Sequence, residues 1–185
     1  MDFNIRKQNR LNKFDYSSVG YYFITICTAE KKNLLCTILS PSTAENKSGS
    51  CVGFGVLYEP ETELSAKGKN VEKQLAVMSD FYKEIKIDKY VIMPNHIHLI
   101  IKINSDTNSA KMSLSRCVGD AAPYNSILSR FVGTFKRYTN KSVGSNIWQK
   151  SFYDHIIRDE NDYIRICEYI ENNPSKWNED KYYIL

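Results

Sequence analysis

Two histidines separated by one residue, His96 and His98, lie in the run VIMPNHIHLI, Val91 to Ile100. On an extended strand side chains alternate faces, so both imidazoles project to one side while Ile97, Leu99, Ile101 and Ile103 project to the other. Side by side on an apolar backing, the pair can chelate one ion, or it can be two hydrogen-bonded polar residues on a half-exposed strand. Chelation needs a third ligand, and the segment DENDYIRICEYIENNP, Asp159 to Pro174, offers one. Its apolar positions Tyr163, Ile166, Cys167 and Ile170 define a helical face, and Tyr169 and Asn173 lie four residues apart on the shoulder of that face. An Asn carbonyl oxygen is a hard donor that suits Mg²⁺ or Mn²⁺, and together with two imidazoles it leaves positions open for the oxygens of a phosphate. A phenol, with an ordinary pKa of about 10, attacks poorly at neutral pH and gains from a cation that favours the phenolate and neutralises the phosphate. Each residue also has a plainer reading. Most of the 13 tyrosines must serve core or surface, and an Asn before Pro is a common helix stop.

The elements that must position these groups can be read from patterning. Tyr21 to Thr28 (YYFITICT) is rich in aromatic and β-branched residues and predicts a strand, with Asn33 to Leu39 a second that could pair with it as a hairpin. Ser40 to Glu63 turns to Ser, Thr, Gly, Pro and Glu and reads as a long, mobile loop or surface insertion. From Ser65 to Ile85, Val71, Leu75, Met78 and Tyr82 recur at helical spacing, with Ser65 as the N-cap. Ile87 to Met93 and His96 to Ile103 are two apolar runs separated by Pro94 and Asn95, the spacing of a tight antiparallel hairpin. A second loop covers residues 104–112. A helix is expected over Ser126 to Lys141, a strand over Ile147 to Ile157 and a last helix over Glu160 to Asn173, where Pro174 disfavours continuation. Hairpins mixed with three helices predict an α+β sandwich, an antiparallel sheet with helices packed on its faces. The length of 185 residues suits one catalytic domain spanning 1–185, with insertions at 40–63 and 104–112.

Composition sets bounds rather than an answer. A net charge of +4 is compatible with a nucleic-acid partner without implying one. The first twenty residues carry basic side chains and no continuous apolar core, so they read neither as a secretory signal nor as an anchor. No stretch has the apolar length of a membrane span. Cys27, Cys36, Cys51, Cys117 and Cys167 are odd in number, widely spaced and free of any C-x-x-C pair, which argues against a disulfide framework and a cysteine zinc site and suggests a reducing cytoplasm.

Beyond the histidine pair, the chain resembles the single-tyrosine transposases of the HUH class, and within it the REP-associated tyrosine transposases. The resemblance is carried by the His, hydrophobic, His triplet His96, Ile97 and His98 within MPNHIHLI, and by FVGTFKRYTNK (Phe131 to Lys141). It continues in IWQKSFYDHIIRDENDY (Ile147 to Tyr163) and EYIENNP (Glu168 to Pro174), and more loosely in YYFITICT, so it covers most of the chain. Agreement of several separated blocks in order is far more specific than the pair alone. The resemblance implies a ferredoxin-like α+β sandwich, with His96, His98 and Asn173 as metal ligands for Mg²⁺ or Mn²⁺ and Tyr169 as nucleophile. It implies single-stranded or palindromic hairpin DNA as substrate, and a reaction that leaves the protein attached to a 5′-phosphate through tyrosine while a 3′-hydroxyl is released. Tyr153, in SFYDHIIR, is the competing tyrosine; it lies in an expected strand and lacks an amide four residues on. His155, in the same block, matches no metal position and is expected to be structural.

DNA binding has two candidate surfaces. Arg130, Arg137 and Lys141 project along nearly one line of their helix and could track phosphates, or could be a solvated face. Arg6, Lys7 and Arg10 form a second basic cluster with the same two readings. A binding protein of the same fold that no longer cleaves, and a metal-dependent phosphodiesterase using water, are the alternatives. Cleavage separates the first from a transposase, and a covalent protein–DNA adduct excludes the second. Monomer and homodimer are both compatible with the sequence. The chain stops at Leu185, so any C-terminal recognition region is expected to be short.

Overall fold

Strands form where aromatic and β-branched residues run together, and the first of these is β1, Gly20–Cys27. It is followed by β2, Cys36–Leu39, and β3, Glu61–Leu64. Helix α1, Ala66–Phe81, leads into β4, Ile85–Ile92, and β5, His96–Ile103. Helix α2, Ile127–Val143, β6, Tyr153–Ile157, and α3, Glu160–Asn172, complete the order. These elements come from a computed structural model that describes residues 15–39, 61–104 and 126–184. Residues 40–60 and 105–112 of the loops expected at 40–63 and 104–112, together with Arg6, Lys7, Arg10, Cys51 and Cys117, lie outside the described residues.

The main sheet has the order β4-β5-β1-β6, with every neighbouring pair antiparallel. Its two faces carry different loads. On one, Tyr22, Ile24 and Ile26 of β1 and Ile97, Leu99, Ile101 and Ile103 of β5 meet Val71, Leu75 and Met78 of α1 and Leu128, Phe131, Val132 and Phe135 of α2 in the main core. On the other, Phe23, Ile100 and Ile157 meet Ile166 and Ile170 of α3 in a much smaller cluster. The alternation read from the sequence therefore holds: the isoleucines and leucine flanking the histidines turn into the main core and the histidines turn away from it.

Local chemistry sets the helix boundaries. Ser65 Oγ accepts the Gly68 amide at 3.0 Å and donates to Leu34 O at 2.7 Å, so one hydroxyl caps α1 and ties it to the segment before β2. The contact there is so close that a Cβ on Gly68 would lie 2.0 Å from Leu35 O. Ser126 caps α2 by accepting from Ser129 N at 3.2 Å, and Gly144, at φ 75°, ends that helix in the left-handed region that favours glycine.

Four expectations need correction. The strand ending at Leu39 does not form a hairpin with β1: β2 pairs with β3, while β1 is enclosed between β5 and β6. Residues 61–63 accordingly belong to a strand, not to the expected loop of 40–63; ladder hydrogen bonds to Cys36–Leu39 order a segment with few apolar side chains of its own. Helix α1 stops at Phe81 because Tyr82 turns extended, at φ −96° and ψ 90°, and Ile85 already opens β4. The strand expected over 147–157 is only Tyr153–Ile157. Trp148 makes a single bridge to Thr28, and its indole turns into the core against Phe135, ring centroids 5.7 Å apart.

Candidate active site

The histidines are placed by the turn that precedes them and by the neighbouring strand. Pro94 O accepts the amides of Leu34 and Leu35 at 2.8 and 2.9 Å, and Asn95 O accepts the Thr28 amide at 2.8 Å, which pins the β4–β5 turn to the end of β1. The β1–β5 register then sets Cys27 opposite His96 and Thr25 opposite His98. Both imidazoles are fully buried.

Hydrogen bonding settles one imidazole tautomer. Asn95 Nδ2 donates to Lys31 O at 3.2 Å and to Tyr182 O at 2.7 Å, so its Oδ1 is the atom facing His96 Nδ1 at 2.9 Å. Because Oδ1 only accepts, His96 Nδ1 carries the proton and Nε2 presents a bare lone pair. That lone pair faces His98 Nε2 at 2.9 Å. His98 Nδ1 lies 2.8 Å from Thr25 Oγ1, which can donate or accept, so His98 can direct either a proton to His96 or a second lone pair to an ion. Two imidazole nitrogens each about 2.1 Å from one ion, at a right angle, stand about 3.0 Å apart, and the observed separation fits that arrangement. Burial lowers the pKa of both rings below 6.5, with Lys181 and Lys31 lowering that of His96 further against an opposing effect of Asp180, and with His96 and Lys181 lowering that of His98. Neutral imidazoles are the form that ligates a metal.

Helix α3 brings in the tyrosine and the amide. Asp159 caps it, accepting the Asp162 amide at 2.9 Å, and Ile166 and Ile170 fasten it to the sheet. Tyr169 projects from the edge of that contact, its hydroxyl 3.2 Å from His98 Nε2. Its ring packs edge-on against those of Phe23 and His98, with centroids 6.0 and 5.1 Å away. Asn173, at the C-cap, is buried, and its Oδ1 is sealed from solvent with no hydrogen-bond partner among the described residues. A buried, unsatisfied carbonyl oxygen is costly unless a ligand completes it.

The structure adds Asp180, which sequence reasoning missed. It follows a 3-10 turn, Trp177–Glu179, and its Oδ2 accepts from the Tyr169 hydroxyl at 3.1 Å and from Asn173 Nδ2 at 3.0 Å. His96, His98 and Asp180 each offer one ligand atom, all within 4.8 Å of one another, and could hold a metal ion. Burial, then the neighbouring Asp180 carboxylate, raises the pKa of the Tyr169 phenol above its ordinary 10, so it is protonated at neutral pH. Two residues after Asp180, the Tyr182 ring lies tilted against that of His96, with centroids 4.7 Å apart. A cleft lined by Arg165, Tyr169, Asn173, Lys176 and Asp180 opens the site to solvent on the α3 side.

The remaining candidates fall elsewhere. Tyr153 lies on the outer strand β6 opposite Thr25, two strands from His98, which is roughly 10 Å at ordinary strand spacing. His155 Nε2 is 2.7 Å from Asp162 Oδ2, joining β6 to the start of α3. Arg130, Arg137 and Lys141 are exposed on α2, in the layer across the sheet from the histidines. Among the described residues no helix is long and apolar enough to cross a membrane.

Comparison with known proteins places this geometry. Residues 66–173 match the family described as IS200-like transposase. An uncharacterized protein of Haemophilus influenzae is 32% identical over 188 residues, covering 97% of this chain and 93% of its own length. The REP-associated tyrosine transposase of Escherichia coli is 29% identical over 94 residues, 51% of this chain and 47% of that protein. Among solved structures, that of a REP-associated tyrosine transposase bound to a REP hairpin superposes with a TM-score of 0.56 at 18% identity, covering 93% of this chain and 76% of that one; this likeness is one of fold. With 66–173 matched, including both histidines, the tyrosine and the helical amide, the chain belongs to the IS200-like transposase family.

Proposed function

We propose that this protein cleaves and rejoins single-stranded or hairpin DNA through a covalent bond between Tyr169 and a 5′-phosphate. The observation that carries the reading is the Tyr169 hydroxyl 3.2 Å from His98 Nε2, with His96 Nε2 2.9 Å further on. A nucleophile beside a pair of buried, neutral imidazoles is the arrangement that metal-assisted phosphoryl transfer needs.

The residues present fit a divalent ion such as Mg²⁺ or Mn²⁺. His96 and His98 would hold it through Nε2 and Asn173 through its unsatisfied Oδ1, while the Asp180 carboxylate beside them supplies the negative charge that two imidazoles and an amide lack. When bound, such an ion neutralises a phosphate and lowers the pKa of a nearby hydroxyl. In the chemical step the Tyr169 oxygen bonds phosphorus and the bond from phosphorus to O3′ breaks. The phenolic proton leaves along the hydrogen bond to Asp180 Oδ2, and O3′ takes up a proton to become the free hydroxyl. The reverse attack by a 3′-hydroxyl restores the phosphodiester and frees Tyr169, so strands can be exchanged without a high-energy cofactor. Phe23, packed against both rings, holds Tyr169 and His98 in register.

The test is incubation with labelled single-stranded DNA carrying a palindromic hairpin and Mg²⁺ or Mn²⁺, resolved on a denaturing gel. A protein–DNA adduct that disappears with chelator and in Tyr169→Phe is expected. Cleavage without any adduct would indicate hydrolysis by water, and binding without cleavage would indicate a retired enzyme.

A further inference from the structure

We propose that Lys31, Lys181 and Tyr153 form a strand-binding rim beside the Tyr169 site, where the two ammonium groups take backbone phosphates and Tyr153 stacks on a base near the scissile bond. This inference rests on the DNA-cleaving reading above. It starts from a lateral row across the sheet: Val91 pairs with His98, His98 with Thr25 and Thr25 with Tyr153. Cross-strand partners share a face, so Tyr153 lies on the histidine face at its outer strand, and it is 41% exposed. A large aromatic ring left open at a sheet edge, in line with the reacting centre, is the platform on which single-stranded bases stack.

The cations converge on the same place. Lys181 Nζ lies 5.2 Å from the centroid of the Tyr153 ring and 4.9 Å from that of Tyr182. Lys31 Nζ lies 5.4 Å from the centroid of the Tyr182 ring, and that ring packs against His96. Two ammonium groups are therefore held on one ring that touches a candidate metal ligand. Neither makes an ion pair among the described residues, whereas the adjacent Lys32 is bound by Glu30 at 2.7 Å. Lys31 is also held in an unusual way. Glu30 and Lys31 adopt φ values of 55° and 53°, in the left-handed region disfavoured for side-chain-bearing residues. The loop is locked there by Thr28 Oγ1 donating to Lys32 O at 2.8 Å and by Asn95 Nδ2 on Lys31 O. The same asparagine orients His96, so one side chain sets both the metal ligand and the cation beside it.

The experiment measures binding of a hairpin DNA with single-stranded tails, over a range of salt, in a Tyr169→Phe parent that cannot cleave. Lys31→Asn, which tolerates the left-handed backbone, and Lys181→Gln should each lower the slope of log affinity against log salt by about 0.7, and the pair by about 1.4. Tyr153→Leu should weaken binding about fivefold or more with the slope unchanged, because stacking involves no counterion release. Lys181→Gln alone carries the test if Lys31→Asn fails to fold. Rim variants with the parent's slope and affinity would overturn the rim alone. A parent that binds no single-stranded DNA would overturn both the rim and the reading on which it rests.

Discussion

The two faces of the sheet divide the labour of the molecule. One face is buried under α1 and α2 and is predominantly apolar, with Ile97, Leu99 and Ile101 sealed from solvent. The other is covered by α3, whose Ile166 and Ile170 meet Phe23, Ile100 and Ile157, and by the segment after it, whose Trp177 and Tyr182 lie against His96; its buried polar residues include Thr25, His96, His98 and Asn173. A helix seated over so small an apolar cluster leaves room beside it for groups that need water, ion or substrate. The difference teaches that a residue's surroundings follow its face more closely than its element, since β5 supplies core residues and the two candidate ligands from alternate positions.

Adjacent substitutions on β5 should break that division most visibly. His98→Gln should lower adduct formation about a hundredfold or more, because it removes the imidazole that faces both His96 and Tyr169. Leu99→Ala, one residue along, should instead reduce unfolding free energy by about 2 to 5 kcal/mol in urea titration through cavity formation in the main core. If the two variants showed the same profile, the faces would not be functionally distinct. Gly68→Ala should cost about 1 to 3 kcal/mol by the same measurement, since its Cβ would meet the carbonyl of Leu35.

The chemical face also predicts an acid limit. His96 and His98 are held below their ordinary pKa, chiefly by burial, so they are neutral when folded and take up protons on unfolding. Above pH 6.5 neither state is protonated and they contribute nothing. As pH falls below 6.5, chelator-treated protein should lose up to about 1.4 kcal/mol of stability per pH unit for each histidine. The double variant His96→Gln/His98→Gln should show a flatter profile over that range, and an unchanged profile would contradict the assignment. Smallest of the effects, Ser65→Ala should cost about 1 kcal/mol through loss of the α1 cap, with adduct formation unchanged.

Much of this was legible in the sequence where a strong period or cap marked it. The alternation through His96–Ile103, the cap at Ser65, and the spacing of Tyr169 and Asn173 each follow from local geometry. Partner choice between strands was not legible: β1 and β2 are neighbours in sequence, yet β1 has β5 and β6 as partners because its apolar residues are buried on both faces. Asp180 and Tyr182 escaped notice for a different reason. They sit past Pro174 with no period to place them, and only the turn at Trp177–Glu179 returns them to the histidines. Lys31 was equally hidden, because its position depends on a left-handed backbone that no glycine signals.

The most direct test of the account is to digest the covalent adduct with protease and nuclease and to identify, by mass spectrometry, the residue that carries the nucleotide. A phosphonucleotide on the peptide containing Tyr169, absent when metal is chelated, is the predicted result. The same modification on Tyr153, with Tyr169 unmodified, would contradict the assignment of the nucleophile and with it the division of roles between the two tyrosines.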